Sequence, residues 1–203
     1  MIDRFLLPTL SRSLARPART LAGAGVSADA ITLAGFAVGL LAAPALALGW
    51  FGLALALIAA NRLADGLDGA VARLTGPTER GAFLDIALDF FFYATVPLGF
   101  AFADPQANAL AAAFLVTGFV GTGSSFLAFA AVAARKGLSA EAYPTKGIFY
   151  LGGLTEGAET IAAFALMCLF PAAFPMIATV FGALCLLTTL TRWLAGWRAF
   201  EGR

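Results

Sequence analysis

Apolar residues fill six long stretches of this chain, and short segments that carry most of its charges separate them. The stretches run roughly over residues 31–49, 50–68, 82–103, 107–134, 147–171 and 173–197. Each is close to the ~20 residues that a helix needs to cross the hydrocarbon core of a bilayer. None alternates between polar and apolar residues as the strands of a membrane barrel do. The pattern therefore predicts an all-α, polytopic membrane protein with six transmembrane helices.

The amino-terminal segment differs from the rest because it combines apolar positions at helical spacing with basic residues. Phe5 and Leu10 lie close to Arg12 in the sequence, a pattern typical of a helix that lies in the membrane interface. The alternative is a basic leader that only sets the orientation of the protein. We expect residues 1–22 to form a juxtamembrane amphipathic helix and residues 23–203 to form the six-helix bundle of a single domain.

Composition and charge agree with a membrane protein. Hydrophobic residues make up 61% of the 203 residues and charged residues 12%, and the mean hydropathy is +0.88, far from the average soluble protein. With the amino terminus inside, all 13 Lys and Arg residues fall at cytoplasmic ends or segments, whereas the opposite connections carry only Asp104. This asymmetry predicts a multi-pass protein of the plasma (inner) membrane with both termini cytoplasmic. The lipid bilayer is its expected surrounding, and we expect no nucleic-acid partner.

Two features of the composition narrow the possible chemistry. The chain has no histidine, which excludes histidine bases and histidine-bound zinc. Its two cysteines, Cys168 and Cys185, lie singly in different apolar stretches without a Cys-x-x-Cys partner, so we expect them to pack in the core. Carboxylates are left to perform both metal binding and proton transfer.

Four aspartates form the most informative pattern in the chain. The sequence reads D-x-x-D-G-x-x-A-R, then seven residues, then G-x-x-x-D-x-x-x-D, with the motif positions Asp65, Asp68, Gly69, Ala72, Arg73, Gly81, Asp85 and Asp89. Helical spacing places each aspartate pair on one helix face, and a Gly-Pro turn signal between the pairs predicts an antiparallel hairpin. Carboxylates beside hydrocarbon are usually functional. Facing pairs predict a site for two divalent ions, Mg²⁺ or Mn²⁺, near the cytoplasmic face.

The other motif residues favour a phosphate ligand beside these ions. Gly69 and Gly81 remove side chains where a ligand would approach the backbone closely. Arg73 offers a planar fork of donors to a phosphate. These residues suit a nucleoside diphosphate that lies between the two helices.

The motif resembles the signature of the CDP-alcohol phosphotransferase (CDP-alcohol phosphatidyltransferase) family, with seven residues instead of the family's eight between the arginine and the second glycine. The resemblance implies that Asp65, Asp68 and Asp85 bind two metal ions. It implies that Asp89 binds one of these ions and is the catalytic proton acceptor.

The same resemblance implies which residues contact the CDP group. From the motif and its loop these are Gly69, Ala72, Arg73, Thr78 and Gly81, and from the start of the first span they are Asp29 and Thr32. The sequence leaves a second interpretation of the last two open, since Asp29 and Thr32 are equally suited to cap the amino terminus of that span.

The activity that the resemblance implies is an integral-membrane transferase of phospholipid biosynthesis. It would move a phosphatidyl or other phosphoalcohol group from a CDP-alcohol to the hydroxyl of an acceptor alcohol and release CMP. The donor that we expect is CDP-diacylglycerol. The family also implies a homodimer. Alternatives are a soluble CDP-alcohol donor with diacylglycerol as acceptor, a cation carrier that uses intramembrane carboxylates, and a catalytically silent scaffold.

Four further residues are candidates for the acceptor pocket. Lys146 resembles the lysine with which relatives that use phosphorylated acceptors hold a phosphate, and Arg192 could assist it, although topology alone also accounts for both cations. Glu156 and Glu159 are predicted to lie several residues inside the fifth span, where an unpaired carboxylate is costly. They would bind a cationic or polyhydroxy head group, or pair with Arg62 or another helix.

Overall fold

The computed structural model of the chain describes residues 3–136 and 153–201. Within these two ranges every regular element is helical, which confirms the all-α prediction. The α-helices are α1 (Asp3–Gly23), α2 (Ala28–Leu40), α3 (Ala42–Ala47), α4 (Phe51–Thr75), α5 (Glu79–Ala103), α6 (Pro105–Arg135), α7 (Gly157–Leu169) and α8 (Phe174–Phe200). A short 3-10 helix, Pro171–Ala173, joins the last two.

Four segments of the described chain are long and apolar enough to cross a membrane. They are Ala28–Ala47, Glu79–Ala103, Pro105–Arg135 and Pro171–Phe200. α4 and α5 are equally long, with 25 residues each, but Asn61, Arg62 and two aspartates make the second half of α4 polar. α7 has 13 residues, fewer than the ~20 that a crossing needs. The predicted count of six spans is thus supported for four segments and stays a prediction for the other two.

The first span is divided into two helices. α2 ends at Leu40 and α3 begins at Ala42. Pro44 explains the break, because it has no N–H to donate to the carbonyl of the residue four positions earlier, which is Leu40.

Two glycines let α2 approach α4 closely. A Cβ at Gly35 would overlap the Cβ of Ala64, and a Cβ at Gly39 would lie 2.8 Å from Nδ2 of Asn61. The Asn61 amide takes advantage of this proximity, since its Nδ2 donates to the Gly35 carbonyl at 3.0 Å. The Gly-x-x-x-Gly spacing of the first span therefore serves packing within the chain.

Aromatic rings fill the core that α3 to α8 share. The ring of Phe100 stacks on that of Phe174 with 4.4 Å between centroids, and Phe164 is fully buried. Cys168 and Cys185 are buried in the same cluster, as expected from their isolation in the sequence. This packed half of the bundle gives α4 and α5 a rigid support.

The amino-terminal segment forms α1, which packs against the end of α4. Leu14 and Ala18 of α1 contact Ala70 and Val71 of α4 in a small second cluster. The predicted helix is present, and its position in the membrane interface stays a prediction.

The connection between α4 and α5 fixes the geometry of the motif. α4 ends at Thr75 and is followed by Gly76, whose φ of 100° lies in the region that favours glycine. Thr78 caps α5, because its Oγ1 accepts from the Gly81 N–H at 3.0 Å. Away from this turn, α4 and α5 contact each other less than either contacts α2. A space therefore remains between the two motif helices, with α2 along its side.

We expect Gly35→Ala to lower the thermal unfolding temperature of the detergent-solubilised protein, because the new Cβ must displace Ala64. Overpacking of this kind costs about 1–3 kcal/mol. Gly52→Ala on α4 is the control, since its added Cβ meets nothing within 4 Å and alanine is the better helix former. Equal unfolding temperatures for the two variants would contradict a tight α2–α4 contact.

Candidate functional site

The four motif aspartates line one cleft between α2, α4 and α5. Asp65 and Asp68 lie about one turn apart on α4, and Asp85 and Asp89 about one turn apart on α5. The cleft is lined by Thr32, Gly35, Phe36, Asn61, Arg62, Asp65, Asp68, Asp85, Leu88 and Asp89. Its volume is about 10 Å³, roughly the room that one water molecule needs.

Three of the aspartates form an oxygen cluster that could hold a divalent ion. Asp65, Asp68 and Asp85 each offer a carboxylate oxygen, and these oxygens lie within 4.8 Å of one another. Asp68 is buried, Asp65 is half-buried and Asp85 is exposed, so the cluster is open on the Asp85 side. An all-oxygen donor set of this kind fits Mg²⁺ or Mn²⁺.

The fourth aspartate is held by an arginine. Asp89 Oδ1 accepts from Arg62 Nη2 at 2.6 Å, and its Oδ2 accepts from Nη1 at 3.2 Å. Nη1 of Arg62 also lies 3.6 Å from Oδ2 of Asp65. The sequence had suggested Arg62 only as a partner for Glu156 or Glu159, whereas it pairs with Asp89 and Asp65. Its position three residues before Asp65, on the same helix face, was the available signal.

Thr32 reaches the cluster from α2. Its hydroxyl donates to Asp68 Oδ2 at 2.5 Å and also contacts the Ala28 carbonyl at 3.1 Å. The residue that caps α2 is Ser27, whose hydroxyl accepts from the Ala30 N–H at 3.2 Å. The capping interpretation of Asp29 and Thr32 is therefore wrong, because α2 begins at Ala28 and both residues lie inside the helix, after the cap.

Asp29 belongs to a second polar group at the head of α5. It accepts from Arg80 Nε at 2.7 Å. A Cβ at Gly81 would lie 3.1 Å from both Asp29 Oδ1 and Thr78 Oγ1, so a larger residue there would crowd the ion pair and the helix cap. Asp29 of α2 thus lies beside Thr78 and Gly81 at the head of α5, and all three are predicted to contact the nucleotide.

The remaining predicted nucleotide contacts lie in the last turns of α4. Arg73 is exposed and Ala72 is half-buried. A Cβ at Gly69 would lie 3.4 Å from Nη1 of Arg73, so the guanidinium extends back along the helix over the glycine. Because Gly69 has no side chain, the Arg73 guanidinium has no bulky neighbour on that side. It is exposed and therefore accessible to a phosphate.

Glu156 and Glu159 occupy a different place from the one predicted. α7 begins at Gly157, so Glu156 is its cap and Glu159 lies in its first turn. The two form a capping box, in which the Glu159 carboxylate accepts from the Glu156 N–H at 3.2 Å. Glu156 also accepts from the Gly153 N–H at 3.2 Å. The prediction that both lie well inside a span is wrong, because the helix starts later than the apolar stretch.

Arg192 lies on α8, outside the aspartate cleft. Its side chain is buried, and Nη1 donates to the Thr122 carbonyl on α6 at 3.0 Å. It lines a groove of about 350 Å³ between α6 and α8, together with Ser124, Ser125 and Trp193. Lys146, its predicted companion, lies outside the described residues.

Comparison with known sequences gives a family match and two relatives. A family model described as CDP-alcohol phosphatidyltransferase matches residues 26–197. The chain is 54% identical over 197 residues to the inner membrane protein YnjF of Escherichia coli (strain K12), covering 97% of this chain and 96% of that protein. It is also 36% identical over 95 residues to an archaetidylinositol phosphate synthase of Pyrococcus horikoshii, 46% of this chain and 50% of that enzyme.

Solved structures show the same fold. A phosphatidylinositol phosphate synthase of Mycobacterium tuberculosis with CDP-DAG bound superposes with a TM-score of 0.67 at 23% identity, covering 92% of this chain and 94% of that one. The same enzyme in complex with manganese and citrate gives a TM-score of 0.65 at 22% identity, over 91% and 88% of the two chains. At this identity the likeness concerns the fold.

Thr32→Val is expected to weaken Mn²⁺ binding, because Asp68 loses the hydroxyl that orients it. Loss of such an outer partner typically costs about 10–100-fold in metal affinity. Isothermal titration of the solubilised protein with Mn²⁺ measures the change. Thr117→Val is the matched control, since the Thr117 hydroxyl donates only to the carbonyl four residues earlier on its own helix. Equal affinities for the two variants would contradict the role assigned to Thr32.

Proposed function

Since the chain belongs to the CDP-alcohol phosphatidyltransferase family, we propose that it transfers a phosphatidyl group from CDP-diacylglycerol to the hydroxyl of a second alcohol and releases CMP. The observation that carries this proposal is the single cleft into which all four motif aspartates converge. The choice of donor is supported by the related fold that was solved with CDP-DAG bound. This would be a step of phospholipid biosynthesis.

The carboxylates are the proposed metal ligands. Asp65, Asp68 and Asp85, with Asp89 beside them, would hold two divalent ions, Mg²⁺ or Mn²⁺, and the manganese complex of the related fold supports this assignment. When bound, the ions withdraw electron density from the diphosphate and stabilise CMP as a leaving group.

Asp89 is the proposed general base. Its carboxylate accepts the proton of the acceptor hydroxyl while that oxygen forms a bond to the phosphorus distal to cytidine. The bond between this phosphorus and the bridging oxygen breaks, and CMP leaves with that oxygen. Each Asp89 oxygen has one hydrogen bond from Arg62, and a carboxylate oxygen has a second lone pair that can take the proton.

The exposed end of the hairpin is the proposed site of the CDP group. Arg73 would donate to the diphosphate, and the small residues Gly69 and Ala72 would let the nucleotide lie against α4. Asp29, Thr32, Thr78 and Gly81 would border the same ligand from α2 and the head of α5. Water competes with the acceptor for the phosphorus, so the bound nucleotide must also close this end of the cleft.

The acceptor that we propose is an alcohol that carries a phosphate, for example an inositol phosphate. Support comes from the buried cation Arg192 and from the names of two of the similar proteins, an archaetidylinositol phosphate synthase and a phosphatidylinositol phosphate synthase. Lys146 would assist Arg192. Because Glu156 and Glu159 cap α7, their charges do not call for a cationic acceptor.

The proposed setting is the inner membrane, with the cleft and both termini on the cytoplasmic side and two chains forming a homodimer. The relative YnjF is an inner membrane protein, and with the predicted six spans the basic residues fall on one side, as the positive-inside rule expects. A soluble CDP-alcohol with diacylglycerol as acceptor is the second donor arrangement. Incubating the membranes either with CDP-diacylglycerol and a phosphorylated acceptor or with a soluble CDP-alcohol and diacylglycerol separates the two arrangements by the donor that yields CMP.

Asp89→Asn is expected to abolish CMP release from CDP-diacylglycerol and a phosphorylated acceptor, by about 10³-fold or more in kcat, since it removes the base. Binding of Mn²⁺ should survive, because Asp65, Asp68 and Asp85 remain. Asp104→Asn is the control, because an asparagine caps α6 as well as the aspartate that now accepts from Ala107. An active Asp89→Asn enzyme would exclude the proposed base, and undiminished wild-type activity in chelator would exclude the metal site.

Arg192→Gln is expected to raise the KM for a phosphorylated acceptor by about 10–100-fold, which corresponds to the loss of one hydrogen bond between charged groups. The KM for CDP-diacylglycerol should not change. Glycerol 3-phosphate and inositol phosphate are compared with serine, choline and ethanolamine in the same membranes. Arg198→Gln on the exposed side of α8 is the control. If only uncharged or cationic alcohols accept the phosphatidyl group, the acceptor proposal is wrong.

A further inference from the structure

Arg62 has a protein acceptor for every N–H group of its guanidinium, which a surface arginine exposed to water does not require. Its five N–H groups all have acceptors: Asn61 Oδ1 accepts from Nε and Nη2, the Tyr93 hydroxyl accepts from Nη1, and Asp89 accepts from both Nη atoms. The guanidinium lies 5.0 Å from the ring centroid of Phe92 and 5.4 Å from that of Tyr93. A cation held by this many partners has one orientation, which makes it suited to position another group.

The anchor of this arginine belongs to the framework of the fold. Asn61, which accepts from two of its N–H groups at 2.6–2.8 Å, is itself fixed by its bond to the Gly35 carbonyl on α2. Phe92 is fully buried. Arg62 is therefore positioned from α2, α4 and α5 at once, and its fork faces Asp89 across the cleft.

Arg62 also carries positive charge into the group of aspartates. It forms ion pairs with Asp89 at 2.6 Å and Asp65 at 3.6 Å, and its side chain is only 14% exposed. Three of the aspartates place carboxylate oxygens within 4.8 Å of one another, and charges this close repel one another strongly where water is scarce. A resident cation reduces this repulsion, and by the same charge it repels an entering divalent ion.

We propose that Arg62 is a positioning residue that orients the Asp89 carboxylate and serves as the resident counter-cation of the aspartate cleft. This inference rests on the proposed function, because it assigns Asp89 the role of base. Its consequence is that two properties move in opposite directions when the charge is removed. Metal binding tightens because a repelling charge is lost, and turnover falls because Asp89 is no longer aimed at the acceptor hydroxyl.

A role in packing alone predicts a different result. If Arg62 only stabilised the α4–α5 contact, its removal would loosen the oxygen cluster, and metal affinity and turnover would fall together. The opposite changes of the two quantities therefore distinguish positioning and charge compensation from a structural role.

The experiment uses the full chain in detergent and three variants. Arg62→Met keeps an apolar stem against Phe92 and Tyr93 and removes the charge, whereas Arg62→Lys keeps the charge and removes the fork. Arg19→Met removes an exposed cation from α1, outside the cleft, and is the control. Mn²⁺ affinity is measured by electron paramagnetic resonance of the free ion, and kcat by CMP release.

For Arg62→Met we expect the Kd for Mn²⁺ to fall about tenfold and kcat to fall about 100-fold. Its unfolding temperature should fall in chelator and recover when Mn²⁺ is added. For Arg62→Lys we expect a Kd close to the wild-type value and a kcat about 100-fold lower, because one ammonium cannot hold both oxygens. Arg19→Met should resemble the wild type in both quantities.

An unchanged or weaker Mn²⁺ affinity of Arg62→Met overturns the counter-cation, and a wild-type kcat in Arg62→Lys overturns the positioning role. If Arg62→Met does not fold even with Mn²⁺, the kcat of Arg62→Lys decides the proposal. Wild-type protein that binds no Mn²⁺ and releases no CMP refutes the proposed function itself. Wild-type protein that does both, with Arg62→Lys fully active, refutes only the inference about Arg62.

Discussion

Electrostatic repulsion between carboxylates is the constraint that the rest of this structure has to satisfy. Three aspartates place oxygens within 4.8 Å of one another, and Asp89 lies beside them. Beside hydrocarbon, such a group would separate α4 from α5 unless cations and hydrogen bonds offset the repulsion. Arg62 and Thr32 supply part of that compensation from within the chain, and an oxygen-binding divalent ion is the ligand that would supply more. An ion bound there would relieve the repulsion between the carboxylates, and this relief would contribute to its affinity.

The fold tolerates the repulsion because α2 holds the two motif helices from the side. Gly35 and Gly39 allow α2 to approach α4 so closely that Thr32 reaches Asp68 and Asn61 reaches the Gly35 carbonyl. The same helix packs against α5. The contact between α2 and α4 therefore provides both packing and a hydrogen bond to the cluster. Any change that moves α2 away also removes the Thr32 hydroxyl that donates to Asp68. α2 is in this sense part of the proposed metal site although it contributes no carboxylate to the cluster.

The two aspartate pairs could be predicted from the sequence because residues three or four apart share a helix face whatever surrounds the helix, and the turn signal between them indicated a hairpin that brings the pairs together. The all-α membrane fold followed in the same way from the apolar stretches. The capping role of Glu156 and Glu159 could not be predicted, because it depends on where α7 begins. The apolar stretch starts about ten residues before Gly157, the first residue of that helix. The partner of Arg62 was missed because the choice among acids on different helices depends on how α4 and α5 are rotated, which spacing within one helix does not report.

Physical separation of the two polar sites has a consequence for specificity. The aspartate cleft is built on α2, α4 and α5, whereas the Arg192 groove is built on α6 and α8. The aromatic core connects them: Tyr93, which binds Arg62, packs 6.0 Å from Phe119 on α6, one turn before the Thr122 carbonyl that accepts from Arg192. Because rings of this size leave little room to shift, the distance between the sites is set by packing. Under the acceptor assignment proposed above, residues that line the groove could therefore be exchanged to suit another acceptor while the carboxylates stay in place.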